Sequence, residues 1–389
     1  MKKTTLKVLL IVFALSTGLV WIRVYKAFQP PSLYKKDFIQ FYLMAKAAAS
    51  GQPVYAPLAD LAQQFDPNLG NFPQSSAYPP TVLFLCRPLA ALPYFYALLL
   101  WDVLEVLCFA IASILVIRRF RNQASVMALL LVVLACVLWP PFANDLYQGQ
   151  MMMTILLLVT ITWLSLTSGR HTLGGISLGL LFALKLYAAP IALLLLLQRN
   201  YRALAWAIAI FLLSNLIVVV WLGTGTLTQY YLQVAPQIER TYRSHPLNFS
   251  VFALGARLVA PWFGLVIVGI IVAFAFWLAW RAPDFNHAFM ILVAVTTIIS
   301  PVAWSHYLIT LLPAFCLLIT WKEIQTGEKV LIVILFFLAV PEMYQVFTPW
   351  SVIRIIQVLF ILGLMLLLSR VLKTGGNKAS NLLRYSDQT

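Results

Sequence analysis

The chain is a succession of apolar stretches long enough to cross a lipid bilayer, each ended by arginine, lysine, proline or glycine. Of its 389 residues, 62% are hydrophobic and 10% are charged, against roughly 25% charged residues in an ordinary soluble domain. Inside hydrocarbon a backbone must satisfy its own hydrogen bonds, which a helix of about 20 apolar residues does. The sequence therefore predicts an all-α polytopic membrane protein without a separate soluble domain.

The expected membrane spans define one integral membrane domain, residues 1–372, followed by a cytoplasmic tail at 373–389. We expect a bundle of about 10–12 transmembrane helices. The spans lie near residues 6–25, 93–117, 125–140, 150–167, 201–222, 262–280, 286–302, 305–321, 329–347 and 350–371.

Residues 172–197 do not fit a simple count of spans, because basic residues flank both ends of the segment. Roughly 26 residues, rising 1.5 Å each, cannot cross a bilayer of about 30 Å twice as full helices. The segment also contains Gly174-Gly175, Gly179 and Pro190. These features predict a re-entrant, broken helix pair that other helices shield from lipid.

The net charge of +15 comes from basic residues in the short connections between spans. Such a distribution argues against nucleic-acid binding and is typical of loops retained in the cytoplasm. The N-terminus resembles a secretory signal, but no small-x-small cleavage site follows it, so we expect a retained first span. Both termini are then cytoplasmic, and the outer connections are 26–92, 141–149, 223–261, 300–306 and 341–350.

The longest outer connection, 26–92, contains two apolar segments that are too short to span a membrane easily. In residues 37–50, aromatic residues and alanines recur at intervals of three and four, which predicts an amphipathic surface helix closed by Gly51. A second segment, residues 78–93, predicts another surface or half-inserted helix.

Three acidic residues stand out by their position. Asp37 opens the predicted surface helix, where it is either an N-cap or an interfacial catalytic base. Asp102 and Glu105 lie on one face of an apolar span. Because buried carboxylates require a partner or a cavity, we expect either an ion pair with Lys185 or a role in transport or catalysis.

Basic side chains also gather in the later outer loops. His245 and His306 are each either hydrogen-bonded structural residues or part of a site. Arg243 and Arg257 flank His245, and they either contact lipid headgroups or bind phosphate through paired hydrogen bonds. The four cysteines have no paired spacing, and no cluster of metal ligands is visible, so we expect no metal and no cofactor.

An ordered set of motifs over about residues 30–320 resembles glycosyltransferase family 87. The motifs are Asp37-Phe38-x-x-Phe41-Tyr42, Gly51-x-Pro53-x-Tyr55, Tyr78-Pro79-Pro80, Gly149-Gln150, Gly175-x-x-x-Gly179-Leu180, Lys185-Leu186-Tyr187, Asn248-x-Ser250 and Ser300-Pro301-x-x-Trp304-x-His306-Tyr307. One departure concerns Lys185, because Ala188 and Ala189 intervene before Pro190 where the family commonly has proline directly after the Lys-x-x unit.

The resemblance implies an integral-membrane, C-type glycosyltransferase that takes a hexose, in some members mannose, from a polyprenyl phosphate. It implies that Asp37 is the catalytic base and that His306 is a second catalytic residue. The acceptor would be a glycolipid or glycan. We expect the contacts to the donor phosphate and the substrates from Arg243, Arg257, His245, Asn248, Lys185, Gln150 and Tyr42.

The leading hypothesis is an inverting hexosyltransferase at the outer face of a bacterial cytoplasmic membrane, where the lipid tail of the donor stays among the spans. A secondary transporter or lipid flippase that uses Asp102, Glu105 and Lys185 is the alternative. A membrane scaffold without catalytic activity is a third hypothesis. The long first outer loop favours the transferase, and no convincing internal repeat supports a transporter.

Overall fold

A computed structural model describes residues 28–69, 74–245, 247–320 and 350–369, and a few positions between 18 and 26. These residues form α-helices, short 3-10 helices and a π-helical turn, with no strand among them. The α-helices are α1 Phe38–Ala49, α2 Leu58–Phe65, α3 Leu83–Cys86, α4 Tyr94–Phe120, α5 Val126–Val137, α6 Pro140–Gln148, α7 Met152–Thr167, α8 His171–Leu184, α9 Ala189–Leu197, α10 Tyr201–Leu222, α11 Thr224–Gln229, α12 Ala235–Tyr242, α13 Val251–Leu258, α14 Pro261–Arg281, α15 Phe285–Ile299, α16 Leu312–Thr320 and α17 Trp350–Ser369.

Three of the described helices, α4, α10 and α14, are long and apolar enough to cross a membrane. The pair α5 and α6, bent by 48°, adds a fourth if it counts as one span. Their outward faces carry large apolar side chains, such as Leu216 and Val220, which are 56% and 81% exposed. Because water would disfavour so large an apolar surface, the fold is that of an all-α membrane protein, as predicted.

Other expected spans are shorter than the sequence suggested. Helices α7 and α15 have 16 and 15 residues. The range 305–321 divides into the 3-10 helix Ser305–Leu311 and α16. Pro313 explains this division, because it cannot donate to the Ile309 carbonyl and fits only the first turn of an α-helix. The spans expected at 6–25 and 329–347 and the tail at 373–389 lie mostly or wholly outside the described residues.

The helix predicted at residues 37–50 forms as α1, but its expected amphipathic character is wrong. Ten of its twelve residues are buried. They include the polar Gln40 and both neighbours of Lys46. Aromatic rings from α4 cover it, and Trp101 lies 5.2 Å from Phe41 between ring centroids. The helix ends as predicted, since Gly51 has φ +67° and the Gln52 amide donates to the Ala47 carbonyl.

The second short segment of the first loop, residues 78–93, forms a succession of short helices. The 3-10 helices Pro80–Val82 and Arg87–Ala91 enclose α3. Leu83 and Cys86 are fully buried, whereas Phe84 and Leu85 between them are 39% and 38% exposed. This segment therefore presents one apolar face to the protein and another away from it.

The glycines of α8 allow unusually close packing against α10. A Cβ on Gly175 would lie 2.3 Å from the Ala203 carbonyl oxygen, and one on Gly179 would lie 2.6 Å from that of Ala207. Small residues spaced by four let two helix backbones approach each other, which is a common way to associate helices in membranes. The Gly-x-x-x-Gly motif therefore has a packing role.

Helix α8 ends at Leu184, and the backbone at Lys185 is extended, with φ −160° and ψ 110°. A 3-10 turn, Leu186–Ala188, leads into α9. Pro190 lies in the first turn of α9, where its missing N–H leaves no hydrogen bond broken. The break exposes the Lys185 side chain between two helices, and whether this pair is re-entrant in the bilayer stays a prediction.

We predict that Gly179→Val destabilises the protein by about 1–3 kcal/mol, because the new side chain overpacks the α8–α10 contact. The matched control is Gly269→Val in α14, where an added Cβ meets no atom within 4 Å. Thermal unfolding in detergent checks both variants. Equal melting temperatures for the two variants would contradict close packing at Gly179.

Candidate active site

A cavity of about 980 Å³ lies where four described connections that the sequence predicts to be outer meet. Its lining includes residues from the loops at 26–92, 141–149, 223–261 and 300–306, and Lys185 from the break between α8 and α9. The predicted site residues that line it are Asp37, Gln150, Lys185, His245 and His306. Packing thus collects residues that are far apart in the chain.

The Asp37 side chain does not cap α1, although the residue occupies the N-cap position. Its Oδ2 accepts a hydrogen bond of 2.7 Å from Gln150 Nε2, and its Oδ1 accepts a longer one of 3.4 Å from Gln40 Nε2. The carboxylate thus binds side-chain amides at the cavity wall. The N-cap alternative is wrong with respect to the side chain.

Tyr78, known from the sequence only as a motif residue, and the Ala77 backbone hold these amides in place. Tyr78 donates its hydroxyl to Gln150 Oε1 at 2.5 Å, and the Ala77 amide donates to Gln40 Oε1 at 2.8 Å. Because each glutamine oxygen accepts from a fixed donor, each amide nitrogen is directed at Asp37. Gln40 follows Asp37 by three residues on the helix, a spacing that could have identified it.

Gly149 explains how Gln150 reaches Asp37. It ends α6 with φ +64°, a conformation that favours glycine. A Cβ at this position would lie 2.7 Å from the Cβ of Phe38, the residue after Asp37. The Gly149-Gln150 motif therefore combines a tight turn with close contact between the start of α1 and the start of α7.

Burial raises the pKa of the Asp37 carboxyl above its ordinary value. The hydrogen bonds from Gln150 and Gln40 and the positive charge of Lys185 oppose this increase, because they stabilise the ionised form. A raised pKa makes the carboxylate a stronger base than an exposed aspartate.

Lys185 lines the cavity from the break between α8 and α9. Its Nζ is 3.8 Å from the centroid of the Tyr307 ring and 3.4 Å from Met152 Sδ. The carboxylates whose charges act on it are Asp145 and Asp37. A cation on an aromatic face in a cavity is suited to attract an anionic group.

His306 is buried, and its Nε2 has no hydrogen-bond partner among the residues that the structure describes. The neighbouring Ser305 hydroxyl oxygen accepts a hydrogen bond of 3.0 Å from Asn144 Nδ2. Both His306 and Asn144 line the cavity. The imidazole therefore has an unused polar atom where a polar substrate could supply the partner.

Glu105, for which Lys185 was the expected partner, and Asp145 both bind the start of α7. Glu105 Oε2 accepts the amides of Met153 and Thr154 at 2.9 and 3.0 Å, at the N-terminus of α7. Asp145 Oδ1 accepts the Met152 amide at 3.2 Å. Since a helix N-terminus carries partial positive charge and unpaired amides, both carboxylates stabilise the start of α7.

The positive charge of Lys36 stabilises the ionised side chain of Asp102. Lys36 is buried, and its Nζ donates to the Tyr147 carbonyl at 2.8 Å. Neither Asp102 nor Glu105 lines the cavity. In place of the expected pairing with Lys185, the positive charge of Lys36 acts on Asp102, and the amides at the start of α7 bind Glu105.

Asn248 joins two of the sequence motifs. Its Oδ1 accepts the Ala303 amide at 3.0 Å, and its Nδ2 donates to the Pro301 carbonyl at 3.2 Å. Arg257 donates to the carbonyls of His245 and Asn248 at 3.4 and 3.2 Å. These bonds fix the loop at 245–250 against the loop at 300–304, and neither Asn248 nor Arg257 lines the cavity.

Two further predicted site residues also lie outside the lining. Arg243 forms a two-bond ion pair with Glu239, at 2.6 and 2.7 Å, and Glu239 itself lines the cavity. Tyr42 is buried and donates its hydroxyl to the Leu92 carbonyl at 2.9 Å. Contacts of Arg243 and Tyr42 with a substrate stay predictions.

The chain matches the model of glycosyltransferase family 87 over residues 77–301, which is more than half of its length. The chain belongs to glycosyltransferase family 87. Asp37 precedes the matched residues, whereas Gln150, Lys185 and Asn248 lie within them. No solved structure matches the chain.

Two curated relatives of this family 87 chain are mycobacterial enzymes, each named polyprenol-phosphate-mannose-dependent alpha-(1-2)-phosphatidylinositol pentamannoside mannosyltransferase. The protein from Mycolicibacterium smegmatis is 24% identical over 264 residues, which cover 62% of this chain and 60% of the relative. The protein from Mycobacterium tuberculosis is 23% identical over 385 residues, which cover 90% of this chain and 83% of the relative.

Proposed function

We propose that this chain transfers a hexose, most simply mannose, from a polyprenyl phosphate to an acceptor hydroxyl with inversion at the anomeric carbon. The observation that carries the proposal is the Asp37 carboxylate, which lines the cavity and binds Gln150 at 2.7 Å instead of capping its helix. The family membership and the names of the two mycobacterial relatives support the donor class.

Asp37 would act as the general base. The acceptor hydroxyl gives its proton to a carboxylate oxygen of Asp37 while its oxygen forms a bond to the anomeric carbon. The bond from that carbon to the phosphate oxygen breaks, and polyprenyl phosphate leaves as an anion. A single displacement of this kind inverts the configuration.

Lys185 and His306 would stabilise the departing phosphate. Lys185 supplies a positive charge beside the Tyr307 ring, and the unpartnered Nε2 of His306 can donate to an oxygen if it carries the proton. The phosphate leaves as an anion and does not have to be protonated. Its departure therefore depends more on fixed positive charge than on a general acid. The apolar lining, including Leu184, Leu186 and Ile299, suits the start of a lipid chain.

We place the site at the outer face of a bacterial cytoplasmic membrane, with both termini in the cytoplasm. The meeting of four predicted outer loops at one cavity supports this orientation, because charge patterning independently assigns those loops to the same side of the membrane. A transporter is less well supported, since Asp102 and Glu105 do not line the cavity.

Asp37→Asn tests the proposal, because it removes the base while it keeps the size of the side chain. We predict a decrease in kcat of roughly 10²- to 10⁴-fold. The assay follows transfer of labelled mannose from polyprenyl phosphate mannose to a membrane lipid extract. The matched control, Asp60→Asn, changes an exposed acid of the same loop and should retain activity. Near-normal transfer by Asp37→Asn would refute the proposed role.

Gln150→Leu tests whether the hydrogen bond from the Gln150 amide lowers the pKa of Asp37. The Gln150 hydrogen bond stabilises the ionised carboxyl, so its loss raises the pKa of Asp37 further. The base form then disappears at a higher pH, and the acidic limb of the kcat/KM profile shifts upward. Gln40→Leu, which removes the 3.4 Å bond, should shift the limb in the same direction by less. An unshifted limb in Gln150→Leu would contradict this linkage.

A further inference from the structure

Three aromatic side chains, Tyr242, His245 and Trp304, form part of the cavity lining that the proposed mechanism does not use. The ring centroids of His245 and Trp304 are 5.0 Å apart with their planes at 80°. Those of Tyr242 and Trp304 are 5.7 Å apart at 81°. We call this group of three rings, in which Trp304 is nearly perpendicular to the other two, the aromatic corner.

The aromatic corner is held in place from behind. Asn248 binds the Tyr242 carbonyl on one side and the Ala303 amide on the other, at 3.1 and 3.0 Å. Gln74 Nε2 donates to the Tyr242 hydroxyl at 2.9 Å. These bonds hold the Tyr242 ring and the backbone that carries Tyr242 and Trp304, so less conformational entropy is lost on binding, which favours use of the corner as a recognition surface.

The corner lies close to the proposed base along the first outer loop. Gln74 contacts Tyr242, and Ala77 contacts Gln40, which binds Asp37. Gln74 and Ala77 are three residues apart, so their Cα atoms are separated by at most about 10 Å. A short glycan whose terminal hydroxyl reaches Asp37 could therefore also reach the corner.

We infer that the aromatic corner is a stacking subsite for a pyranose ring of the acceptor, which makes the acceptor a sugar-bearing molecule; this inference rests on the proposed function. The C–H bonds on one face of a pyranose are weakly electropositive, and they complement the negative face of an aromatic ring. A protein hydroxyl or a bare glycerol headgroup lacks such a face.

Glu239 gives this subsite its polar partner. Its carboxylate lines the cavity, and Arg243 uses one lone pair on each oxygen, which leaves acceptor capacity for sugar hydroxyls. The aromatic surface can bind the C–H face of a pyranose, and the neighbouring carboxylate can accept hydrogen bonds from its hydroxyl groups. The corner thus selects the acceptor, while Lys185 and His306 serve the phosphate of the donor.

Trp304→Leu and Trp304→Phe form the matched pair of variants, because both keep an apolar side chain and only phenylalanine keeps an aromatic face. The assay uses polyprenyl phosphate mannose as donor, with octyl α-mannopyranoside or octyl glycerol as acceptor. We expect Trp304→Leu to raise KM for the octyl mannoside about tenfold and to lose the preference for it over octyl glycerol. The donor KM should change less than about twofold.

Trp304→Phe should retain most of the preference, and Trp262→Ala should not affect it, since Trp262 is exposed at the start of α14 and outside the cavity. Two results would overturn the inference. One is an unchanged preference in Trp304→Leu, and the other is a rise in donor KM without a rise in acceptor KM, which would assign the corner to the donor sugar.

A measurement of acceptor binding in the absence of donor tests this inference separately from the proposed function. Saturation-transfer NMR of octyl α-mannopyranoside, with protein in a detergent that lacks sugar, should detect wild-type binding that weakens in Trp304→Leu. Such a result supports the subsite even if no polyprenyl phosphate sugar serves as donor, an outcome that would defeat the proposed function alone. Absence of binding to the wild type would overturn the subsite.

Discussion

The 2.7 Å hydrogen bond from Gln150 to Asp37 joins the start of α1 to the turn before α7, and the arrangement of the candidate site depends on it. The bond is possible because Gly149 adopts φ +64° and packs against Phe38 without a side chain. Trp101 of α4 donates to the Gln150 carbonyl at 2.9 Å, which also fixes the residue through its backbone. A carboxylate at a poorly hydrated position is tolerable only with such donors.

Carboxylates of this chain serve distinct purposes because their surroundings differ. Glu105 and Asp145 bind the amides at the start of α7, so they stabilise the helix that follows Gln150. Glu239 is paired with Arg243. Asp37 combines access to the cavity with hydrogen bonds from neutral amides, and neutral donors leave it free to accept a proton from a substrate.

Local sequence patterns predicted the features that depend on neighbouring residues, such as the approximate ranges of α4, α10 and α14 and the glycine that ends α1. Contacts between segments that are far apart in the sequence could not be predicted from such patterns. The burial of α1 comes from rings of α4, and the Arg257 side chain binds carbonyls nine and twelve residues earlier. The Glu239–Arg243 pair was predictable, because residues four apart meet on one helix face.

Rescue by azide tests most directly whether Asp37 acts as a base. Azide is an anionic nucleophile that needs no deprotonation, so it bypasses a missing base but not a missing phosphate or sugar site. In Asp37→Ala, with polyprenyl phosphate mannose as donor, the account predicts little transfer to hydroxyl acceptors and restored formation of mannosyl azide with inverted configuration. Failure of azide to restore turnover in a folded Asp37→Ala protein would contradict the account and indicate a structural role.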